Sequence, residues 1–270
     1  MAKILHLKTR EVEVDYFHFY GCSLPAGHEL TDPWSKDNKL EGRELFEAQK
    51  KNKELSFPAK VAELFDVPFS NRAEYGCSIG TTKFYLIEDV LRHKIKRNQA
   101  IFFCITHQKR IHGFDENNGR ALSWQLHEAA ERFGKQDFLT YQNDFKLLYE
   151  YFVNLWEVIL IAKTTGCPLF FVPMFAHSTF NNMQSYDTAD PELPFNKIDV
   201  EWNLIRQIRN IIREIEAYTI NIKPMMRYTC DVAEERGLDA SALKNPGGHP
   251  MQEIHDLYAK DIFKLLKNDK

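Results

Sequence analysis

The chain has 270 residues, 44% of them apolar, and a formal net charge of −3. That length holds one large domain or two small ones, and the apolar share is enough for a substantial core. The slightly acidic balance argues against a general attraction to nucleic acid or to an anionic membrane, and no apolar stretch approaches the roughly 18 residues of a membrane span.

Val12 to Tyr20 is rich in β-branched and aromatic residues and stops at Gly21, which predicts a strand. Thr31 to Ser56 is polar and charged, including Lys50, Lys51, Lys53 and Glu54, and reads as a solvated excursion with some helix. Phe57 to Phe65 places Val61, Leu64 and Phe65 at helical spacing behind Pro58, a residue suited to a first turn. Phe69 to Tyr75 is a short strand candidate. Phe84, Ile87, Leu91 and Ile95 then mark one face of a helix. Ala100 to Thr106 and Pro168 to Phe175 are continuous apolar runs, as expected of strands covered on both faces. Between them, Phe145, Leu148, Phe152, Leu155 and Ile159 predict a long helix closed by Gly166. Ile205, Ile208, Ile212 and Ile215 suggest another helix within the least legible stretch, Asn181 to Leu243. Met251, Ile254, Tyr258, Ile262 and Leu265 form a terminal one.

Strands alternating with helices predict an α/β protein, with a central parallel sheet between two helical layers. With no internal repeat or low-complexity tract, one domain is expected over residues 1–270, with insertions near 31–57 and 181–243. The five cysteines, Cys22, Cys77, Cys104, Cys167 and Cys230, are scattered and form no CxxC pair. That pattern predicts a cytoplasmic protein with free thiols rather than a disulfide scaffold or a zinc knuckle. The segment from Met1 to His6 lacks the features of a secretory signal.

Two places carry chemistry. Gly21-Cys22-Ser23-Leu24-Pro25-Ala26-Gly27 follows the first strand, where parallel sheets place ligands. Its glycines permit a tight turn that aims backbone N–H groups at a substrate oxygen. Serine needs a base within hydrogen-bond reach to act as a nucleophile. Asn245-Pro246-Gly247-Gly248-His249-Pro250 presents His249 just before the last helix, and imidazole accepts and returns a proton near neutral pH. Read singly, the first is a Gly-Ser turn and the second a capping or surface histidine; their pairing is what suggests a hydrolase.

Together these strings resemble the SGNH (GDSL-like) hydrolase family, in particular its divergent bacteriophage members. Gly21-Cys22-Ser23-Leu24 is similar to the family's first block, with Cys22 in place of the usual aspartate. Asn71 to Ser78 is similar to the second block, Ile101 to Arg110 to the third, and His249-Pro250 with Ile254-His255 to the last. The resemblance implies a flavodoxin-like three-layer α/β/α fold and hydrolysis of an ester or acyl group, with Ser23 as nucleophile and His249 as base and then acid. It implies an oxyanion hole from the N–H groups of Ser23 and Gly76, with Thr106 or His107 as a third donor. The third block's usual asparagine is absent, and Pro246 stands where an aspartate normally precedes the histidine by three residues. Of nearby acids, only the more distant Asp239 remains. These departures motivate the alternative of a fold kept as a binding or structural component without catalysis.

Other strings suggest competing chemistry. Gly76-Cys77-Ser78-Ile79-Gly80 is a literal G-x-S-x-G, the nucleophile elbow of α/β-hydrolases, although the strand before it is polar. His107, His112, Asp115, Glu116, His249 and His255 have no recognised metal-ligand spacing, so neither a metal nor another cofactor is expected. Arg110 is a candidate to bind an anionic part of the substrate, since its fork suits carboxylate or phosphate; an ordinary surface ion pair explains it equally well. The basic residues Arg92 to Arg97, and Arg206, Arg209 and Arg213, form helix-end clusters that do not amount to a nucleic-acid motif. The expected partner is therefore a small-molecule or glycan ester, with no membrane and no nucleic acid; the sequence is silent on oligomeric state.

Overall fold

The computed structural model describes residues 3–6, 11–31, 42–106, 110–115, 120–125, 144–175 and 210–267. Four strands form the central sheet, β3 (Tyr16–Tyr20), β4 (Phe69–Asn71), β5 (Gln99–Ile105) and β8 (Leu169–Pro173), in the order β4-β3-β5-β8 with every pair parallel. This is the flavodoxin-like order, in which the chain reverses its direction of growth beside the first strand and leaves a crevice there for a ligand. A fifth position survives as one parallel bridge, Phe171 to Thr219, with Ile220 N–H donating to Phe171 O at 2.9 Å.

Alternation along the strands builds two cores. On one face Phe17, Phe19, Phe102, Cys104, Phe170 and Val172 pack with helix α2 (Phe57–Phe65) and the C-terminal helix α7 (Gln252–Lys267). Helix α6 (Met225–Glu235) joins them through Met225 and Ala233. Phe19, Phe102 and Phe170 are cross-strand neighbours and stack in a row, with ring centroids 4.6 and 4.9 Å apart. On the other face Tyr20, Ile101, Phe103, Ile105, Leu169 and Phe171 meet α3 (Ile79–Leu91), α4 (Asp144–Thr165) and a helix over residues 210–218, here α5. The expected three-layer α/β/α architecture is thus observed. None of the described helices is long and apolar enough to cross a membrane.

Several elements differ from the sequence reading. The strand expected over Val12 to Tyr20 breaks at Asp15, whose N–H donates to Asn98 O at 3.0 Å. Its first half, β2 (Glu11–Val14), turns away to pair antiparallel with β1 (Lys3–His6), and only β3 enters the sheet. Ile95 falls beyond the end of α3. A pair of antiparallel strands, β6 (Arg110–Asp115) and β7 (Arg120–Gln125), follows β5, where the sequence marks no strand. Pro250 lies ahead of α7, in a bridge with Lys244.

The charged stretch before α2 forms helix α1 (Gly42–Leu55). One of its residues, Asn52, is fully buried. Its Oδ1 accepts from Thr31 N at 2.8 Å and Thr31 Oγ1 at 2.7 Å, and its Nδ2 donates to Tyr75 Oη at 2.7 Å. A run that reads as solvated surface therefore turns one side chain inward, beside the serine loop. None of the five cysteines forms a disulfide among the described residues, and all but Cys230 are buried. The loop over 181–194, together with Arg206 and Arg209, lies outside the described residues.

Candidate active site

Beyond β3 the chain winds through successive turns over residues 22–29. Ala26 N–H donates to Cys22 O, Gly27 N–H to Leu24 O, His28 N–H to Ser23 O and Leu30 N–H to Gly27 O, all within 3.2 Å. Gly21 is required by close approach: a Cβ there would lie 2.5 Å from Pro25 Cγ and 2.8 Å from Cys104 Cβ. Gly27 has φ +69°, and a Cβ would meet Asn52 O at 2.5 Å, so α1 presses directly on the turn. Ser23 is 4% exposed.

The loop after β4, which carries Gly76 with φ +78°, is fastened to this one. Arg72 N–H donates to Phe19 O at 2.8 Å and Glu74 N–H to Gly21 O at 3.1 Å. Asn71 Nδ2 donates to Pro25 O at 2.7 Å. Among the described residues neither Ser23 N–H nor Gly76 N–H has a hydrogen-bond partner. Thr106, just past β5, is fully buried, and its hydroxyl is likewise unpartnered among them.

His249 comes to the serine loop from the far end of the chain. Its turn is closed by Asn245 N–H donating to His249 O and Gly248 N–H to Asn245 O, both at 2.7 Å. Its Nδ1 lies 2.8 Å from Oε2 of Glu29, a residue of the serine loop whose side chain is completely buried. The same carboxylate accepts from Gly247 N at 2.8 Å and, more weakly, from His249 N at 3.4 Å. A buried carboxylate is tolerated only when it is paired and hydrogen-bonded in this way. Glu29 holds a left-handed φ of +68°, a conformation that costs a non-glycine residue energy and clusters at functional sites. The His249 ring also lies 4.4 Å, centroid to centroid, from His28, which stacks on Tyr75 at 3.9 Å.

Ser23 and His249, 226 positions apart in sequence, are thus gathered at one corner of the sheet through Glu29 and His28. No hydrogen bond joins Ser23 Oγ to the imidazole among the described residues; in the absence of substrate such bonds are often long.

The remaining histidine of the last block has another role. His255 is 1% exposed, and its Nδ1 accepts from Phe57 N at 3.1 Å, tying α7 to the start of α2. Burial, with a smaller contribution from His249, lowers its pKa to about 3, so it stays neutral.

Other candidates are placed elsewhere. Ser78 is buried as the N-cap of α3, with ordinary extended φ and ψ, and its Oγ accepts from Thr81 N at 3.1 Å. It lacks the strained, outward-aimed geometry of a nucleophile elbow. Asp239 caps the 3₁₀ turn Ala240–Leu243 by accepting from Ser241 N. The basic end of α3 is met by acids: Arg92 pairs with Glu88 and Lys94 with Asp89. His107 lies outside the described residues; Arg110 opens β6, and its side chain, like those of His112 and Asp115, is not among those described. No cluster able to hold a metal ion occurs among the described residues.

Glu29 is not among the acids the sequence points to, because it lies far from His249 along the chain. A signal was present: it is the only carboxylate between Gly21 and Leu30.

No protein-family model matches the sequence, and no curated protein is significantly similar to it. Among solved structures, the chain is similar to a carbohydrate esterase described as having an active site with divergent catalytic and non-catalytic binding functions. The identity is 12%, over 98% of this chain and 70% of that one, with a TM-score of 0.50. A variant of the acetyl xylan esterase Axe2 from Geobacillus stearothermophilus is 13% identical over 93% and 94% of the two chains, with a TM-score of 0.48. A lipolytic protein of the G-D-S-L family from Desulfitobacterium hafniense is 11% identical over 93% and 99%, with a TM-score of 0.45. At 12% identity the likeness to the carbohydrate esterase is one of fold. With its strand order, its serine loop after the first sheet strand and its histidine before the last helix, the chain has the flavodoxin-like α/β/α fold that its resemblance to the SGNH (GDSL-like) hydrolases implies.

Proposed function

We propose that the protein is a serine ester hydrolase acting on a small-molecule or glycan ester. Ser23 Oγ attacks the carbonyl carbon and passes its proton to Nε2 of His249, the ring nitrogen left available by the Nδ1 contact. The tetrahedral oxyanion collapses, and the alcohol leaves with that proton. Water then attacks the acyl-enzyme with His249 again as base, releasing the acid and restoring the serine.

The oxyanion rests on the N–H groups of Ser23 and Gly76, with the Thr106 hydroxyl as third donor in place of the family's asparagine; His107 is the alternative for that third position. Each such donor is typically worth about 3 kcal/mol in the transition state. Arg110 is the candidate to bind an anionic part of the substrate.

The observation that carries this reading is the convergence of His249 on the loop of Ser23 beside N–H donors with no partner among the described residues. A fluorophosphonate probe tests it. Labelling is expected in the native protein and in Ser78→Ala, and is expected to vanish in Ser23→Ala. Thr106→Val is expected to lower kcat on acetyl esters by about 10²-fold.

A second reading is favoured by the 4% exposure of Ser23: a catalytically silent member that uses the fold to bind a partner. It predicts no labelling and no turnover of short acyl esters.

A further inference from the structure

We infer that Glu29 is the positioning carboxylate of the site, so that one loop supplies both the nucleophile and the acid while the base comes from the opposite end of the chain. This rests on the hydrolase reading above.

The family's position for the acid is occupied by Pro246, which has no charge to offer, and Asp239 is engaged at its own turn. Glu29 meets the requirements of the role from a different place. Its Oε2 takes the Nδ1 side of His249 at 2.8 Å, and its Oε1 is fixed by Gly247 N–H at 2.8 Å. With the side chain wholly buried, the contact is shielded from solvent. A carboxylate so placed keeps the neutral imidazole protonated on Nδ1, leaves Nε2 free to accept the serine proton, and stabilises the imidazolium that follows.

Gly247 is part of the same device. A Cβ there would lie 2.2 Å from Glu29 Oε1 and 2.6 Å from Oε2, and all three of its nearest atoms belong to the Glu29 carboxyl group. Its φ lies outside the left-handed range, so alanine is acceptable to the backbone. The first atom of any side chain at 247 therefore displaces the carboxylate and little else.

Two variants disturb the contact by independent routes. In Glu29→Gln the amide oxygen stays with the Gly247 N–H and the NH₂ faces Nδ1. The imidazole must then accept at Nδ1 and carry its proton on Nε2. In Gly247→Ala the carboxylate is pushed aside with no change of titratable groups.

The experiment measures kcat and KM on an acetyl ester, fluorophosphonate labelling rate, and the His249 tautomer by ¹⁵N NMR, in native protein and both variants. Expected for Glu29→Gln are a fall in kcat of about 10²–10⁴-fold with little change in KM, slowed labelling, and a shift of the ring proton from Nδ1 to Nε2. Gly247→Ala is expected to lose kcat in the same way, with loss of the Nδ1–H signature. A purely structural role for Glu29 would not move the tautomer. Unchanged kcat and an unchanged tautomer in both folded variants would overturn the inference while leaving the hydrolase reading intact. Absence of labelling and turnover in the native protein would overturn that reading, and this inference with it.

Discussion

Ser23 and Ser78 both stand in glycine-flanked strings at the start of a connection, and only their surroundings separate them. Ser78 spends its hydroxyl on the exposed N–H of Thr81 at the head of α3, a cap typically worth about 1 kcal/mol. Ser78→Ala is therefore expected to lower the melting temperature by about 2–4 °C, measured by circular dichroism, without altering probe labelling. Individual residues were legible where their role is local: the turn chemistry around Ser23 and His249 follows from glycine and proline nearby in sequence. Glu29 was not, because its partners lie 218 and 220 positions away. A left-handed glutamate contacting a distant glycine leaves no periodic trace in the chain.

Among the elements, strands buried on both faces were the easiest to read, since β5 from Ala100 onward and all of β8 are buried and apolar. The stacked row of Phe19, Phe102 and Phe170 shows what that run accomplishes: it ties three neighbouring strands together through side chains as well as backbone. Phe102 is the middle ring and fully buried. Phe102→Ala is expected to cost about 3–5 kcal/mol, read as a lower denaturation midpoint in urea. Elements with mixed patterns stayed hidden. Helix α6 places Thr229 at a buried position, where its hydroxyl satisfies itself on Met225 O at 2.9 Å, so polarity masks the helical stripe. The β6–β7 pair interrupts its apolar residues with Gly113, His112 and Ser123, which blurs the alternation a strand needs. The division of one apparent strand at Asp15 reflects a tertiary bond to Asn98 that no local propensity encodes.

For the molecule as a whole, acid is the condition to which the interior is most exposed. His255 remains neutral in the folded state down to about pH 3, whereas in the unfolded chain it takes up a proton near its ordinary value of 6.5. Its contribution to stability is therefore complete above pH 6.5 and is lost progressively as the pH falls toward 3. The slope from this residue is at most about 1.4 kcal/mol per pH unit. His18, whose pKa is lowered chiefly by burial beside Ser70 and Gln99, adds in the same direction. Urea titrations between pH 4.5 and 7 are expected to show stability rising with pH, and His255→Asn is expected to flatten that rise.

The truncated fifth position of the sheet has a consequence for solution behaviour. Along β8 and the residue after it, Ile220 N–H occupies Phe171 O, Met226 N–H occupies Met174 O, Tyr258 Oη occupies Pro173 O, and Pro173 itself has no amide hydrogen to offer. With these carbonyls claimed by neighbours that form no further strand among the described residues, this stretch of the border gives a second polypeptide little to zip onto. Concentrated samples should accordingly resist edge-to-edge polymerisation from that side, even though the strand is among the most apolar stretches of the chain.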